Sequence, residues 1–329
     1  MLLSIEDAER LCVSAARSTG ASDAVARSLA RATVAAEAAG QRSVGLAHFI
    51  DYLDALKAGR IDGAAQPEIT RPTPAVIQSD ARGGIAHLGF DLCFNDLAAA
   101  ARAYGVAIFS QKNSYTAGAL GWFASRLAET GLIAFSAANG PALLAGSGTT
   151  RPVFCTNPLA FAAPRANGPP LLIDQSSSAT AFVNVRAAAE RGEAIPQGWA
   201  IDANGHATTD PSEAMRGALM AFGGARGANI ALMVEVLAAG LSSANWSLDA
   251  PSFSDGSESP GSGLFVLAIS PHVLGDDFAG RLDAHLQRLE RDYGMHVPGQ
   301  AKAQSALEAG QAGTVVDADI VAAIRHHIA

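Results

Sequence analysis

Three features of the sequence predict an α/β (α+β) fold: a mixed sheet in one domain and a smaller helical domain beside it. The first seventy residues carry three helical apolar patterns and nothing that reads as a strand. From Ala75 onward, short apolar runs alternate with helical patterns. Several links between those runs are too short for crossovers, so some neighbouring strands must be antiparallel.

The elements follow in order. Ser4 starts a helix with Ile5, Ala8, Leu11, Cys12 and Ala15 on one face, ending at Gly20. Ser22 caps a second, from Asp23 to Ala38. A third carries Phe49, Ile50, Leu53 and Leu56 and stops at Gly59. Pro67, Pro72 and Pro74 make a stiff exit. They place a boundary between a helical domain, 1–74, and an α/β domain, 75–299, with 300–329 folding back on the helices. Strands are expected at Ala75–Gln78, Val106–Phe109 and Leu132–Ser136, and helices at Phe90–Ala103 and Ala117–Glu129. Leu159–Ala163 and Leu171–Ile173 flank a Pro/Gly-rich break and read as a hairpin. A helix to Arg191, the loop IPQGWAIDANGHATTDP and an apolar helix from Ala228 to Leu241 come next. A polar loop, Ser252–Gly263, precedes a strand at Leu264–Ser270 and a helix at Asp276–Tyr293. The loop VPGQAK leads to a last helix, Ala318–Ile328.

Charge and motifs exclude several functions. The chain of 329 residues carries a net charge of -8 without a Lys/Arg cluster, which disfavours nucleic acid and anionic membranes as partners. Cys12, Cys93 and Cys155 are far apart and read as buried thiols in a reducing compartment. The N-terminal stretch has no basic leader, and no run approaches the ~18 apolar residues of a membrane span. The expected location is the cytoplasm. No strand leads into GxGxxG, and GxxxxGK[ST], GxSxG and paired histidine motifs are absent, so neither a conventional dinucleotide fold nor a protein-borne catalytic metal is expected.

Three stretches have the chemistry of a ligand site. Asp174 and Ser176 to Ser178, at a strand's C-terminal end, offer a charge, hydroxyl donors and close backbone approach. They also read as a strand entering a serine-capped helix. GGARGANIALMVEVL puts Arg226 at the mouth of a helix after a glycine turn, either an anion site or a tight turn before a buried helix. QKNSYTAGALGWF sets Lys112, Asn113, Ser114, Tyr115 and Thr116 at a strand-to-helix turn.

With TNPLAFAAP, IDQSSS, IPQGWAIDANGHATTDP, GGARGANIALMVEVLAAGL and the late PGQ in this order, the chain resembles the malate/L-lactate dehydrogenase family without a Rossmann fold, from about Gly40 to Gly299. That family includes diketogulonate and sulfolactate dehydrogenases and Δ1-piperideine-2-carboxylate/Δ1-pyrroline-2-carboxylate reductases. The resemblance implies a homodimer that binds NADPH or NADH between a discontinuous helical domain and an unusual α/β domain. It implies cofactor contacts from Tyr115, Thr116, Ala117 and Gly118, from Asp174, Gln175, Ser176 and Ser178, from Ala225 and Arg226, and from Gly299 and Gln300. It implies a substrate contact from Thr156.

One segment departs from the pattern. Where the family reads GHxSHGxxR, this chain reads GQRSVGLAH. Ser43 and Gly45 are kept, but the family's proton-donating histidine is Val44 and its carboxylate-clamping arginine is His48. A second family histidine is Thr116. Hydride delivery to a ketone builds an alkoxide and needs a positioned acid, whereas a cyclic imine is protonated before hydride arrives. The expected activity is therefore reduction of a small cyclic imino acid to L-proline or L-pipecolate. His48, Lys112 and Thr156 are the expected substrate contacts, and Ser43, His48, Tyr115 and Asp174 the groups left to relay a proton. Two alternatives stay open: a 2-hydroxy-acid dehydrogenase whose donor has moved to Tyr115 or His48, and a member that has lost catalysis. Arg226 suits a 2′-phosphate or a pyrophosphate equally, so the choice between NADPH and NADH is open too.

Overall fold

The computed structural model describes residues 1–328. Serine side chains start the first two helices. Ser4 Oγ accepts from Asp7 N at 3.0 Å at the head of α1 (Ile5–Ser18), and Ser22 Oγ from Val25 N at 3.4 Å at the head of α2 (Asp23–Ala38). With α3 (Leu46–Lys57) these helices bury Ala8, Cys12, Val25, Leu29, Phe49 and Leu53 in one apolar cluster. The tail joins the same cluster. Its short strand (Thr314–Val315) pairs antiparallel with β1 (Leu2–Leu3), and Val321 and Ile324 of its last helix pack inward.

A seven-stranded sheet forms the second layer. It is built from β2 (Glu68–Thr73), β3 (Val76–Asp80), β4 (Val106–Ser114), β5 (Ile133–Ala138), β8 (Leu159–Ala163), β9 (Leu171–Gln175) and β13 (Ser262–Ile269). The order is β2-β3-β4-β13-β5-β8-β9, with β3 and β4 parallel and every other pair antiparallel. The expected mixed α/β class is therefore what the chain adopts. Helices α4 (Ala86–Tyr104) and α5 (Gly121–Glu129) cover the sheet, packing Phe90, Leu97, Phe123 and Leu127 on Phe109 and Val266. A smaller sheet of β6 (Leu144–Ala145), β7 (Pro152–Phe154), β10 (Ala200–Ile201), β11 (Ala207–Thr208) and β12 (Ala218–Leu219) lies alongside α6 (Phe182–Arg191), α7 (Pro211–Arg216) and α8 (Ala225–Glu235).

Several boundaries differ from the sequence expectation. Pro72 lies inside β2, which is tolerated because β2 is the sheet's edge and no neighbour needs the missing N–H. The stretch expected as the loop IPQGWAIDANGHATTDP holds the β10–β11 hairpin, closed by Asp202 Oδ1 accepting from Asn204 N and His206 N. Strands of two residues leave no periodicity to read. Beyond α9 (Phe278–Tyr293), the stretch after Gly299 is not loop but α10 (Gln300–Ala312), in which only Ala309 is buried. It has no apolar stripe to betray it. The strand Thr314–Val315 and helix Ala318–His326 complete the order as β14 and α11.

Candidate active site

The residues expected to meet the cofactor lie around the β8–β9 hairpin, whose register pairs Leu159 with Gln175 and Ala160 with Asp174. The Asp174 carboxylate is nearly buried and accepts from Gln41 Nε2 at 3.0 Å and Lys302 Nζ at 3.4 Å. It thus joins the loop after α2, the end of β9 and α10. Gly299 is required beside it: its φ is +88°, and an added Cβ would lie 2.8 Å from Leu172 Cβ. Gln300 opens α10 and lines a surface cavity with Arg165 and His296.

The serines beyond Asp174 do not cap α6, whose first residue follows Ala181 with no side-chain cap. They run beside Met220 to Phe222 instead. Phe222 N donates to Ser177 O at 3.1 Å, Ala179 N to Met220 O at 2.7 Å, and Ser178 bridges Ala221. This pairing sets the turn Gly223–Arg226 next to Ser176 and Ser178. Among the described residues no side chain caps α8, and Gly223 and Gly224 have positive φ with open space where a Cβ would be. An uncapped helix N-terminus with exposed Ala225 and Arg226 suits an anion, so these residues fit the phosphates of a dinucleotide.

Thr156 is held by a buried network that sequence reasoning missed. Ser177 N donates to Thr156 O and Ser177 Oγ to Asn157 O, both at 2.8 Å. Asn157, at φ +37°, donates through Nδ2 to Ala231 O and to Glu235 Oε2. Glu235 also accepts from Ser247 N and Ser247 Oγ. A lone glutamate within the apolar run ANIALMVEVLAAG was the available signal.

The opposite wall is α3. Glu37 Oε2 accepts from Leu46 N at 2.9 Å, so α2 caps its neighbour, and burial pushes the Glu37 carboxyl up. Gly45 must be glycine because that carboxylate fills the place of its Cβ. Ser43 is exposed in the short 3-10 turn Arg42–Val44. His48 Nδ1 donates to Asp51 Oδ2 at 2.8 Å, and Asp51 also receives Arg186 Nη2 at 3.0 Å and Nη1 at 3.3 Å from α6. Burial alone would raise the Asp51 carboxyl, but the His48 hydrogen bond and the Arg186 guanidinium hold it below the ordinary range.

Tyr52 links His48 to the turn after β4. Its ring meets the His48 ring edgewise at 4.9 Å, and its OH accepts from Thr116 Oγ1 at 2.6 Å. Ala117 and Gly118 follow in the same turn. A Cβ on Gly118 would sit 3.3 Å from Tyr52 OH and 3.6 Å from His87 Nε2. His87 is buried and stacked on Phe123, and its Nδ1 has no partner among the described residues. Burial lowers its pKa to about 4, so the ring is neutral at pH 7. Asp51, Tyr52, His87 and Arg186 went unread in the sequence, since single polar residues on helices resemble ordinary surface or core positions.

Two side chains expected at the site, Tyr115 as a proton relay and Lys112 as a substrate contact, have their polar atoms engaged elsewhere. The Tyr115 OH donates to Phe253 O at 2.9 Å within the apolar cluster, and burial pushes the phenol up to about 12. Its proton is already committed. Lys112 Nζ lies 3.7 Å from Asp80 Oδ2 at the end of β3 and pairs with none of the site groups.

Comparison with known proteins agrees with this architecture. The family model for malate/L-lactate dehydrogenase matches residues 3–325. A (2R)-3-sulfolactate dehydrogenase (NADP(+)) of Chromohalobacter salexigens is 35% identical over 311 residues, 94% of this chain and 93% of that protein. A Δ1-pyrroline-2-carboxylate/Δ1-piperideine-2-carboxylate reductase of Pseudomonas putida is 34% identical over 300 residues, covering 90% of this chain and 88% of its own. The crystal structure of Δ1-piperideine-2-carboxylate reductase from Pseudomonas syringae superposes with a TM-score of 0.95 at 31% identity, covering 99% of both chains. With the hairpin, the serine run and the glycine turn placed as described and the match spanning nearly every residue, the chain belongs to the malate/L-lactate dehydrogenase family.

Proposed function

We propose that the protein is an NAD(P)H-dependent oxidoreductase that reduces the C=N bond of a small cyclic imino acid. The substrate is Δ1-pyrroline-2-carboxylate or Δ1-piperideine-2-carboxylate, and the product is L-proline or L-pipecolate. Reductases of these imines recur among the relatives at 31–35% identity. The observation that carries the reading is local. Val44 and Thr116 stand where the family's histidines are expected, while the cofactor side keeps its serines, open glycines and Arg226.

Bound NADPH or NADH supplies the hydride. Asp174, Gln175, Ser176 and Ser178, the α8 N-terminus with Ala225 and Arg226, the Tyr115–Gly118 backbone, and Gly299 with Gln300 would hold it. Thr156 offers its hydroxyl to the substrate, and His48 gives a proton from Nε2 to the ring nitrogen. A hydride and a proton add across C=N, so no oxyanion forms and no histidine at position 44 is needed. The α3 layer with the returning tail and the seven-stranded sheet are read as two domains enclosing the site. Exposed Leu232, Met233 and Val236 on α8 and the turn after it favour a homodimer. Among the described residues no helix is long and apolar enough to cross a membrane, and we place the enzyme in the cytoplasm.

The sulfolactate dehydrogenase relative favours a second reading, a 2-hydroxy-acid dehydrogenase with His48 as relocated acid. NADPH and NADH oxidation with both imines, pyruvate, oxaloacetate and the keto acid of 3-sulfolactate separates the two. Turnover on the imines alone is the expected result; turnover on keto acids alone replaces the first reading with the second. Arg226→Met is expected to raise the Kd for NADPH by about 10-fold and to leave NADH unchanged if Arg226 meets the 2′-phosphate.

A further inference from the structure

We propose that Asp51 is a positioning residue for His48 and that Arg186, from α6, completes the device. This deepens the reading of His48 as the acid and rests on it. A carboxylate only accepts, so the 2.8 Å contact fixes a proton on His48 Nδ1 and leaves Nε2 to carry the mobile one. Among the described residues Nε2 makes no hydrogen bond. The ring is also fixed in direction, because its neighbour Tyr52 is held by Thr116. Asp51 in turn has its two oxygens taken by the two Nη atoms of Arg186, a bidentate fork that keeps the carboxylate ionised and still. An ionised Asp51 does not compete for the proton meant for substrate.

The Arg186 side chain is 38% exposed, and an ion pair that open adds little to stability. Its geometry, however, ties the helix after the serine run to the wall that carries His48. In the reaction, the Nε2–H bond breaks as the proton passes to the imine nitrogen, and hydride from the nicotinamide cofactor then reaches the adjacent carbon of the iminium. The neutral imidazole is then reprotonated from water. The family supplies an acid at position 44, and this chain replaces it with a residue one helical turn further on, oriented by Asp51.

The test uses the full chain. Asp51→Asn is expected to lower kcat for imine reduction about 10- to 100-fold with cofactor Kd unchanged, Asp51→Glu to restore part of it, and Arg186→Gln to lower kcat by less than Asp51→Asn. In a His48→Ala background, Asp51→Asn should change the rate less than about 2-fold, because Asp51 acts through His48. An equal loss in both backgrounds, or wild-type turnover of Asp51→Asn, overturns the proposal. Nitrogen NMR of 15N-histidine-labelled protein reads the same arrangement without turnover. The Nδ1–H tautomer of His48 should dominate in wild type and give way in Asp51→Asn. A protein that reduces no imine yet shows this Asp51-dependent tautomer ends the reductase reading and keeps the positioning role. An active reductase whose His48 tautomer ignores Asp51 does the reverse.

Discussion

The cofactor side and the α3 side of the site use glycine in opposite ways. Gly223 and Gly224 sit at positive φ, and among the described residues nothing lies within 4 Å of an added Cβ. Gly45 has its Cβ position filled by the Glu37 carboxylate of the same chain. The first side is a backbone frame that offers N–H groups and room. The second is a packed wall whose chemistry comes from the side chains His48, Asp51 and Tyr52. A frame of backbone constrains sequence over long stretches, while a wall of side chains can exchange its reactive groups one residue at a time. That is how the family fold persists here although Val44 and His48 replace the usual pair.

The largest expected effect tests the packed wall. An alanine at Gly45 places a methyl 2.3 Å from Glu37 Oε2 and 3.1 Å from Glu37 Cα. Either α2 shifts or the carboxylate leaves, and then Leu46 N loses its acceptor. Gly45→Ala should lose ~3 kcal/mol of stability in urea unfolding. Unchanged stability would show that Glu37 does not cap α3. On the open frame, Gly223→Ala should lose only ~1 kcal/mol, from its φ of +58°, while weakening cofactor binding about 10-fold. Equal effects at the two glycines would erase the contrast.

His87 gives the packed wall a dependence on pH. Burial is the main cause of its low pKa, opposed by Asp91 and helped by Arg126. The unfolded chain binds the proton near 6.5 and the folded chain only near 4. Stabilisation from neutral His87 is therefore fully present above pH 6.5 and lost as pH falls towards 4, a loss of about 3 kcal/mol. Between pH 6.5 and 4, thermal unfolding of wild type should lose about 3 kcal/mol relative to His87→Leu, with the variant's slope flatter between those limits. Parallel slopes would mean that His87 titrates normally.

The same contrast decides what the sequence could reveal. The hairpin around the Pro/Gly break and the turns at the serine run and GGARG were legible because turns need small residues in fixed order. The departure at GQRSVGLAH was legible as a loss. His48 was legible as a group left to relay a proton, but its partners were not, because Asp51 on α3 and Arg186 on α6 meet across 135 residues and no local pattern encodes that contact. Glu235 shows the intermediate case: one charge in an apolar helix signals a buried partner without naming it. Tyr115 failed for the opposite reason. It lies in the turn after β4, yet the side chain points into the core.

That misreading supplies the smallest prediction. The Tyr115 OH gives its single proton to Phe253 O, and the ring packs edgewise on Tyr52 at 5.6 Å and on Phe253 at 6.1 Å. Tyr115→Phe keeps both ring contacts and removes one neutral hydrogen bond, so stability should fall by ~1 kcal/mol. kcat for the physiological reaction should stay within about 2-fold of wild type, since a hydroxyl committed to a carbonyl is not a positioned acid, whose removal is worth ~100-fold or more. His48→Ala provides the control, with the larger loss expected there. If the two variants reversed their order, the acid would lie on the turn after β4 and not on α3, and the division between frame and wall would have to be redrawn around Tyr115.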